Sequence, residues 1–335
     1  MITPTVLDAE SDRWQRELAQ AIGDPEALIE LLDLPKALLP EARAAARDFP
    51  LRVTRHYLGL IRPGDPDDAL LRQVLPLGAE CRPTPGYVND PVGDLAARAG
   101  SGIVHKYHGR ALLITTGACA IHCRYCFRRH YPYGEDNSIR HHETMLQQLR
   151  GMTDVSEVIL SGGDPLSLSD RRLQRLLEAL ASIPHLERLR IHTRLPVVLP
   201  ERITPHLVKQ LATRRFATSL VLHVNHPREL SDALRPGLWR LRAAGVTLLN
   251  QSVLLRGVND SAETLCHLSE ALFDHGILPY YLHLLDPVAG AAHFEVAETN
   301  AIALHEAMRA RLPGYLLPRL VREVPGDSAK RPVHR

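Results

Sequence analysis

The chain has 335 residues, of which 45% are hydrophobic and 23% charged, a composition typical of a globular protein that buries a large core. Its formal net charge of +2 without a long block of one sign argues against a nucleic-acid partner or a charged membrane surface, and no apolar run reaches the roughly 20 residues that span a bilayer. Because the five cysteines do not form a secreted disulfide framework and the first residues lack the pattern of a signal peptide, we expect a reducing, cytoplasmic setting.

Residues 1–100 are predicted to form a helical and turn-rich extension. One helix is predicted over residues 14–22, a second begins at Pro25, and residues 41–47 are rich in alanine. Residues 61–100 then contain many prolines and glycines, which predicts a succession of turns instead of a repeat or a low-complexity linker.

A regular alternation of strands and helices begins after this extension. Six apolar runs are almost continuous in hydrophobic residues, which is typical of parallel strands that are buried on both faces. Amphipathic segments with helical periodicity lie between or after them. The apolar runs cover residues 111–116, 155–160, 188–193, 216–224, 246–255 and 277–285, and the amphipathic segments lie near 141–151, 170–182, 204–213, 229–244, 261–274 and 297–311.

This alternation predicts an α/β fold, an incomplete (β/α)6-type barrel over residues 101–315 with right-handed crossovers. An open, doubly wound sheet is the alternative that the pattern leaves. The run at residues 316–321 predicts a further short strand, so residues 316–335 are assigned as a C-terminal strand and tail.

Polar residues follow the predicted strands at their carboxyl ends, where catalytic groups collect in an α/β barrel. The first strand leads into a cluster of cysteines, and later strands end in histidine, arginine, glutamine and acidic residues. These strand ends carry Asp164, His192, Arg194, His223, Gln251, His283 and Asp286. The sequence therefore predicts that these side chains face the same mouth of the barrel as the cysteines.

Three cysteines, Cys119, Cys123 and Cys126, lie within eight residues at the spacing C-x3-C-x2-C, directly after the first strand. Thiolates are soft ligands that suit iron–sulfur clusters and zinc. A cubane cluster has four irons, so three cysteines leave one iron open to another molecule. The spacing alone leaves two alternatives, which are a zinc site completed by His122 or His130 and a redox disulfide.

An open iron can bind S-adenosylmethionine and pass it an electron, which yields a carbon radical in a site that must exclude water. The cysteine spacing and the aromatic Tyr125 before the last cysteine resemble the radical S-adenosylmethionine superfamily. The turn over residues 161–164 resembles the superfamily's glycine-rich turn, where a side chain would block the close approach of S-adenosylmethionine. The resemblance implies a [4Fe-4S] cluster on the three cysteines. The residues that the resemblance implies for binding S-adenosylmethionine are Ser161, Gly162, Gly163, Asp164 and Gln251.

A narrower resemblance runs from about residue 60 to the end of the chain. The segments that carry it are similar to lysine 2,3-aminomutases, and the chain most resembles the short bacterial branch that provides β-lysine for elongation factor P. These segments are residues 105–110, 126–129, 194–200, 223–227, 250–260, 286–294 and 325–330.

The resemblance implies a 1,2-amino shift that converts (S)-α-lysine to (R)-β-lysine, with pyridoxal phosphate stored as a Schiff base on a lysine amine. The chain has four lysines, of which Lys36 and Lys209 lie in predicted outer helices and Lys106 precedes the first strand. Lys330 alone matches the family's pyridoxal lysine. The other residues assigned to pyridoxal phosphate are Tyr107, Lys106, Arg110, Arg194 and His223.

The expected substrate contacts follow from charge. A carboxylate suits a planar, bidentate arginine, and Arg128 matches the family's partner for the α-carboxylate. A side-chain ammonium inside a dry barrel needs acidic partners, and Asp286 and Glu323 occupy the matching positions. The chain departs from the longer aminomutases in three places: they have aspartate for Glu323, tyrosine for His283 and glycines for residues 327–329.

The partners that the resemblance implies are L-lysine, elongation factor P with its lysyl-tRNA synthetase-like ligase, and an electron donor such as flavodoxin or ferredoxin. Two other functions stay open. One is a free-standing aminomutase that acts on lysine or another amino acid in metabolism, and the other is a non-enzymatic, metal-binding redox module.

Overall fold

The computed structural model describes residues 6–134, 141–212 and 215–334. Its centre is one sheet in which ten described strands lie side by side in chain order. The strands are β1 (Arg98–Gly100), β2 (Ile103–Tyr107), β3 (Arg110–Thr116), β4 (Glu157–Gly162), β5 (Arg188–Thr193), β6 (Ala217–Leu222), β7 (Thr247–Val253), β8 (Leu278–His283), β9 (Arg319–Arg322) and β10 (Arg331–Pro332).

The strand order confirms the predicted α/β fold. Strands β3 to β9 run parallel to one another, while β1 and β2 at one edge and β10 at the other edge pair antiparallel. A doubly wound sheet, the alternative to the predicted barrel, reverses its strand order at a switch point. The strands of this sheet follow chain order without a reversal, which favours the barrel. The six predicted strands correspond to β3 to β8 within two residues at each end, and the predicted run at 316–321 contains most of β9.

The helices of the barrel also follow the predicted pattern, whereas the helix predicted over residues 14–22 is observed as Val6–Ala19 and therefore begins and ends earlier. The predicted segment at residues 204–213 is α9, and its last residue lies outside the described residues, as do residues 1–5 and 335. The helices are α1 (Val6–Ala19), α2 (Pro25–Leu31), α3 (Leu39–Asp48), α4 (Arg55–Leu58), α5 (Ala69–Arg72), α6 (His142–Gly151), α7 (Asp170–Ala181), α8 (Leu195–Val198), α9 (Pro205–Leu211), α10 (Arg235–Ala243), α11 (Ala262–Asp274) and α12 (Glu298–Arg309). In the described parts of the chain, none of these helices is long and apolar enough to cross a membrane.

Alternation along the strands separates the hydrophobic core from the inner face of the sheet. In β5, Leu189 and Ile191 are buried in the main core, whereas Arg190 and His192 line a cavity on the other side. The outer helices supply the matching apolar faces: α7 buries Leu173, Leu176, Leu177 and Leu180, which recur at helical spacing. The alternation of polar and apolar residues along a strand thus places the polar side chains on the side of the sheet that faces the cavity.

The N-terminal extension packs on the barrel as part of the same core. Trp14 is buried in the main core cluster with barrel residues such as Leu220, and the Arg202 guanidinium lies 4.5 Å from its ring centroid. Isolated bridges pair Ile22 with Val53 and Val88 with Val288. Residues of the extension therefore reach the loops of the barrel, where they contribute to the site.

Candidate active site

A cavity of about 610 Å³ lies on the inner face of the sheet, a size that suits a small substrate or cofactor. Every strand from β2 to β9 contributes to its wall, so the sheet curves around it. All of the site residues predicted from the sequence line this cavity. They are Lys106, Tyr107, Arg110, Cys119, Cys123, Cys126, Arg128, Ser161, Gly162, Gly163, Asp164, Arg194, His223, Gln251, Asp286, Glu323 and Lys330.

The cysteine loop follows β3 and is held by the N-terminal extension. The buried Arg124 side chain donates hydrogen bonds of 2.8 and 2.6 Å to Glu80 and one of 2.8 Å to the Phe49 carbonyl. Arg129 donates to the same carboxylate at 2.8 Å, and both guanidinium groups lie over the Phe49 ring. Because buried charges need paired partners, Glu80 fixes the turn that carries the last two cysteines.

His122 and His130, the histidines of the zinc alternative, both contact backbone carbonyls. Nδ1 of His122 lies 2.8 Å from the Pro50 oxygen, and its ring stacks on Phe49 with 5.2 Å between ring centroids. Nε2 of His130 lies 3.2 Å from the Ala289 oxygen. These contacts tie the two rings to the extension and to the loop after β8, and they do not favour zinc.

The surroundings of the three thiols fit an iron–sulfur cluster. Burial raises the pKa of the Cys119 thiol, and burial together with Cys123 raises that of Cys126 to about 11. Nη1 of Arg194 lies 2.7 Å from Sγ of Cys123. A guanidinium beside the sulfur offsets the negative charge that a thiolate-bound cluster carries. Three soft sulfurs next to a fixed cation are therefore a donor set suited to a cluster.

The glycine-rich turn after β4 packs directly against the chain that leads to the cysteines. Gly163 donates a 2.6 Å hydrogen bond to the Thr116 carbonyl, and a Cβ at Gly163 would lie 2.5 Å from the Ala118 oxygen. Gly162 has a φ of +118°, and a Cβ there would lie 2.7 Å from the Thr116 oxygen. Glycine is required at both positions because two backbone segments meet without room for a side chain.

Asp164, predicted as a contact of S-adenosylmethionine, uses its carboxylate within the protein. One oxygen accepts hydrogen bonds from the Leu166 amide and the Thr193 hydroxyl at 3.0 and 2.6 Å. The other accepts from the amides of Arg194 and Leu195, both at 2.8 Å. Burial raises the pKa of Asp164, and these hydrogen bonds oppose the rise. Its carboxylate thus joins the turn after β4 to the end of β5.

Arg194 and His223, predicted to hold pyridoxal phosphate, lie in a buried network beside the cysteine loop. Arg194 donates to Glu229 at 2.9 Å, to Gln73 at 2.7 Å and to the Tyr125 hydroxyl at 2.6 Å. Nε2 of His223 lies 2.9 Å from the same hydroxyl, and burial with the nearby arginine lowers the pKa of His223 to about 3. Both terminal nitrogens of Arg194 are committed, which disfavours the predicted phosphate contact.

A chain of alternating charges crosses the opposite wall of the cavity. Arg128 donates a 2.6 Å hydrogen bond to Asp94, and Lys106 forms a 2.6 Å ion pair with the other oxygen of Asp94. Lys106 also donates to Glu323 at 3.2 Å, and the second oxygen of Glu323 accepts a close hydrogen bond from Lys330. This chain of charges joins the end of the cysteine loop to the C-terminal tail of the protein.

Asp94 and Glu323, the two carboxylates in this row of charges, are held in the ionised form. Burial alone would raise the pKa of Asp94, but the neighbouring cations Arg128 and Lys106 outweigh it and hold the pKa at about 2. Burial likewise opposes ionisation of Glu323, and Lys330 with Lys106 lowers its pKa to about 2. Two carboxylates therefore compensate three cations at neutral pH.

Asp286, His192 and His283 face the cavity with polar groups that the fold leaves available. Burial raises the pKa of Asp286 to about 7, although Lys330 opposes the rise. Burial lowers the pKa of both histidines, and their buried Nε2 atoms have no hydrogen-bond partner in the described part of the chain. Such groups fit a polar ligand, because buried polar atoms are otherwise paired.

Further side chains from the strands line the same cavity and were not predicted as site residues. Arg110 was predicted, and Arg190 and Arg319 add two guanidinium groups on β5 and β9. Tyr280 donates a 3.0 Å hydrogen bond to Tyr281, and Nζ of Lys330 lies 5.9 Å from the Tyr281 ring centroid. In addition, Leu112 and Val221 form apolar parts of the wall.

Asp94, Glu80 and Glu229 are the acidic residues that sequence reasoning missed. Asp94 and Glu80 lie in the turn-rich extension, where no spacing marks them, and only their contacts with Arg128 and Arg124 reveal a role. Glu229 lies two residues after the segment at residues 223–227, which resembles the aminomutases. Its closeness to that segment is the sequence signal that could have identified it.

Comparison with known proteins agrees with this site. The family model of the radical SAM superfamily matches residues 113–268, which contain the cysteine loop and the glycine-rich turn. The chain is 46% identical to an L-lysine 2,3-aminomutase of Escherichia coli over 96% of this chain and 94% of that protein. The chain belongs to the L-lysine 2,3-aminomutase family.

Other relatives and one solved structure extend this comparison. An L-lysine 2,3-aminomutase of Haemophilus influenzae is 44% identical over 96% of this chain and 95% of its own length. One of Clostridium subterminale is 34% identical over 98% of this chain and 79% of its own length. The structure of a radical SAM methyltransferase from Sphaerobacter thermophilus matches 66% of this chain and 68% of its own, with 17% identity and a TM-score of 0.46. This family is one of aminomutase enzymes that belong to the radical SAM superfamily, whose members use a [4Fe-4S] cluster and S-adenosylmethionine.

Proposed function

We propose that this enzyme converts (S)-α-lysine to (R)-β-lysine by a 1,2-amino shift, with pyridoxal phosphate bound to Lys330. The observation that carries the proposal is the meeting of Lys330, Glu323 and Asp286 in the cavity that the cysteine loop also lines. An amine nucleophile, two carboxylates and three thiols line one cavity. Relatives named L-lysine 2,3-aminomutase support the choice of lysine as the substrate.

Pyridoxal phosphate would supply an aldehyde that captures an amine and stabilises charge or an unpaired electron on the neighbouring atoms. The nucleophile in this chain is the Lys330 amine, which lies against Glu323 and close to the Tyr281 ring. The arginines Arg110, Arg190 and Arg319 on the same cavity wall can meet a phosphate group. The buried, unpaired Nε2 of His283 offers a polar contact to the bound group.

The two ends of lysine need opposite charges, and the cavity offers both. Arg128 presents a guanidinium that suits the α-carboxylate. Asp286 and Glu323 suit the side-chain ammonium. Burial raises the pKa of Asp286 to about 7, and an ammonium group beside its carboxylate would lower that pKa and so favour the ionised form. An amino acid without the second amine would leave the buried Asp286 carboxylate without a cation from the substrate, which gives a physical reason for lysine selectivity.

The cluster and S-adenosylmethionine would supply the electron and the radical that start the amino shift. Cys119, Cys123 and Cys126 hold the cluster in this proposal, and Arg194 places a positive charge beside Cys123. The glycine-rich turn after β4 and Gln251 on β7 line the space next to the cysteines, where S-adenosylmethionine would bind. A reduced flavodoxin or ferredoxin would deliver the electron, which places the reaction in a reducing, cytoplasmic setting.

We further propose that the product serves the β-lysylation of elongation factor P through a lysyl-tRNA synthetase-like ligase. The support is the resemblance of this sequence to the short bacterial branch.

The test is anaerobic reconstitution of the full chain with iron, sulfide and pyridoxal phosphate, followed by S-adenosylmethionine, dithionite and L-lysine. We expect 5′-deoxyadenosine and (R)-β-lysine, identified by chromatography on a chiral column. Lysine that is recovered unchanged while 5′-deoxyadenosine forms would contradict the substrate, and the absence of both (R)-β-lysine and 5′-deoxyadenosine would contradict the radical chemistry.

The destination of the product needs a separate experiment. Purified elongation factor P and the ligase are supplied with the product, and the mass of intact elongation factor P is measured. We expect the added mass of one lysyl residue, with β-lysine preferred over α-lysine. Equal transfer of the two isomers would favour the free-standing aminomutase of metabolism.

A further inference from the structure

Asp94 is a buried carboxylate that lies between two predicted functional groups, although no sequence motif marks it. Its side chain is 2% exposed. Oδ2 accepts a 2.6 Å hydrogen bond from Nε of Arg128, and Oδ1 forms a 2.6 Å ion pair with Nζ of Lys106. The Asp94 amide donates a 2.9 Å hydrogen bond to Asp90, which fixes the turn. Both oxygens of this carboxylate are thus committed to cations from different parts of the fold.

The Arg128 guanidinium is divided between the protein and the cavity. Nε donates to Asp94, and Nη1 donates a 2.9 Å hydrogen bond to Oγ of Ser161. Nη2 has no hydrogen-bond partner among the residues that the structure describes, and the side chain lines the cavity. Because a guanidinium is rigid and planar, two fixed nitrogens determine the direction in which the third one points.

Lys106 carries the effect of Asp94 to the tail of the chain. Its ammonium is held by the Val92 carbonyl at 2.7 Å and by Asp94, and it donates to Glu323 at 3.2 Å. The other oxygen of Glu323 is bound by Lys330. Asp94 therefore orients Arg128 at one end of the chain of charges. It also orients Lys106, which holds Glu323 at the other end.

We propose that Asp94 is a positioning residue that fixes the distance between the two substrate-binding ends of the cavity. It does so by setting the direction of Arg128 and, through Lys106, the place of Glu323. The inference rests on the proposed function, in which Arg128 meets the carboxylate of lysine and Glu323 its side-chain ammonium. Both carboxylate oxygens of Asp94 are occupied by the two cations.

The substitution Asp94→Asn preserves the shape of this residue and removes its charge. The amide offers one acceptor oxygen in place of two, and its NH2 group would face one of the two cations. Arg128 or Lys106 then loses a charge-assisted hydrogen bond and turns away from its present direction. An Asp94→Glu variant restores the charge with one additional methylene.

The experiment compares lysine with cadaverine, which has both amines of lysine and no carboxylate. Binding is measured without reductant, on full-length protein loaded with the cluster and pyridoxal phosphate, from the change in the visible absorbance of the cofactor. We expect the wild-type preference for lysine over cadaverine to fall about tenfold or more in Asp94→Asn, since a directed charge-assisted contact to the carboxylate is lost. Asp94→Glu should recover part of this preference.

A matched control is Asp170→Asn. Asp170 forms a buried 2.9 Å ion pair with Arg202, and neither residue lines the cavity. The control should keep the preference for lysine. Iron content and borohydride labelling of Lys330 should be the same in Asp94→Asn as in the wild type. An unchanged preference in Asp94→Asn overturns the inference, and so does an equal loss in both variants, because that result would assign the effect to the fold.

An Arg128→Lys variant separates this inference from the proposed function. If Arg128→Lys loses the preference for lysine and Asp94→Asn keeps it, only the role of Asp94 is wrong. If the wild-type enzyme itself shows no preference, or if Arg128→Lys keeps it, the carboxylate site of the proposed function is wrong and the inference falls with it.

Discussion

Asp286 is an acidic side chain of the cavity that burial desolvates and that forms no ion pair among the described residues, and we expect its charge to destabilise the folded chain. Burial raises the pKa of Asp286 from 3.8 to about 7, and Lys330 opposes this only in part. The folded chain therefore holds the proton more tightly than the unfolded chain does. The stability that this proton contributes is complete below the unfolded pKa and is lost as the pH rises through the folded pKa.

The size of the effect follows from the two pKa values. Because a tenfold change in proton affinity is worth about 1.4 kcal/mol, the rise of the Asp286 pKa corresponds to about 4 kcal/mol. Water in the open cavity screens part of this charge, so we expect about 2 kcal/mol in a measurement. Asp286→Asn keeps the shape of the side chain and removes the charge.

The assay is denaturant unfolding of the protein without cluster or cofactor, under anaerobic conditions at pH 5 and pH 8. At pH 8 the free energy of unfolding of Asp286→Asn should exceed that of the wild type by about 2 kcal/mol, and the excess should be smaller at pH 5. The loaded variant should bind iron normally and fail to turn over lysine. A variant that is no more stable than the wild type at pH 8 would refute the argument from desolvation.

Asp164→Asn provides the contrast, since Asp164 is also a buried aspartate with a raised pKa. Its carboxylate accepts four hydrogen bonds, and an amide oxygen cannot replace them all. This variant should lose about 2 kcal/mol or more at both pH values, in the opposite direction to Asp286→Asn. Stabilisation by both substitutions would show that burial alone, and not the number of hydrogen-bond partners, decides the sign.

Three further predictions concern the cofactors. Lys330→Ala should abolish the borohydride-trapped absorbance of pyridoxal phosphate, and peptide mapping of the wild type should find the label on Lys330; a label on Lys106 would overturn the assignment. Gly163→Ala should lower the iron content after reconstitution several-fold, because the added Cβ would lie 2.5 Å from a backbone oxygen of the cysteine segment. Glu80→Gln should also lower the iron content and leave Lys330 labelling intact, because Arg124 and Arg129 then share a neutral partner. Normal iron content in either of these two variants would contradict the support that the structure assigns to the cysteine loop.

The sequence was sufficient for the architecture of the barrel. Strands and helices alternate with clear apolar patterns, and a helix between consecutive strands makes those strands parallel neighbours, so local pattern determines the strand order. The edge strands β1, β2 and β10 were missed, because β1 and β10 have only three and two residues and the five residues of β2 are not a continuous apolar run. The extension was predicted to be helical, but its contribution to the cavity through Phe49 was not, since turns carry no pattern that reveals their partners.

The sequence by itself also predicted the chemistry of the site. Cysteine spacing is local, so three residues of one loop indicate a metal or cluster site without any knowledge of the fold, and the resemblance to lysine 2,3-aminomutases implies Lys330 as the pyridoxal lysine among the four lysines of the chain. Only the tertiary structure decided that Asp94 lies between Arg128 and Lys106, and that Arg194 supports the cysteine loop. The physical reason is that ligand spacing is a property of a short segment, whereas the partner of a buried charge is set by the strand order and by which side chains the curved sheet brings within hydrogen-bond distance.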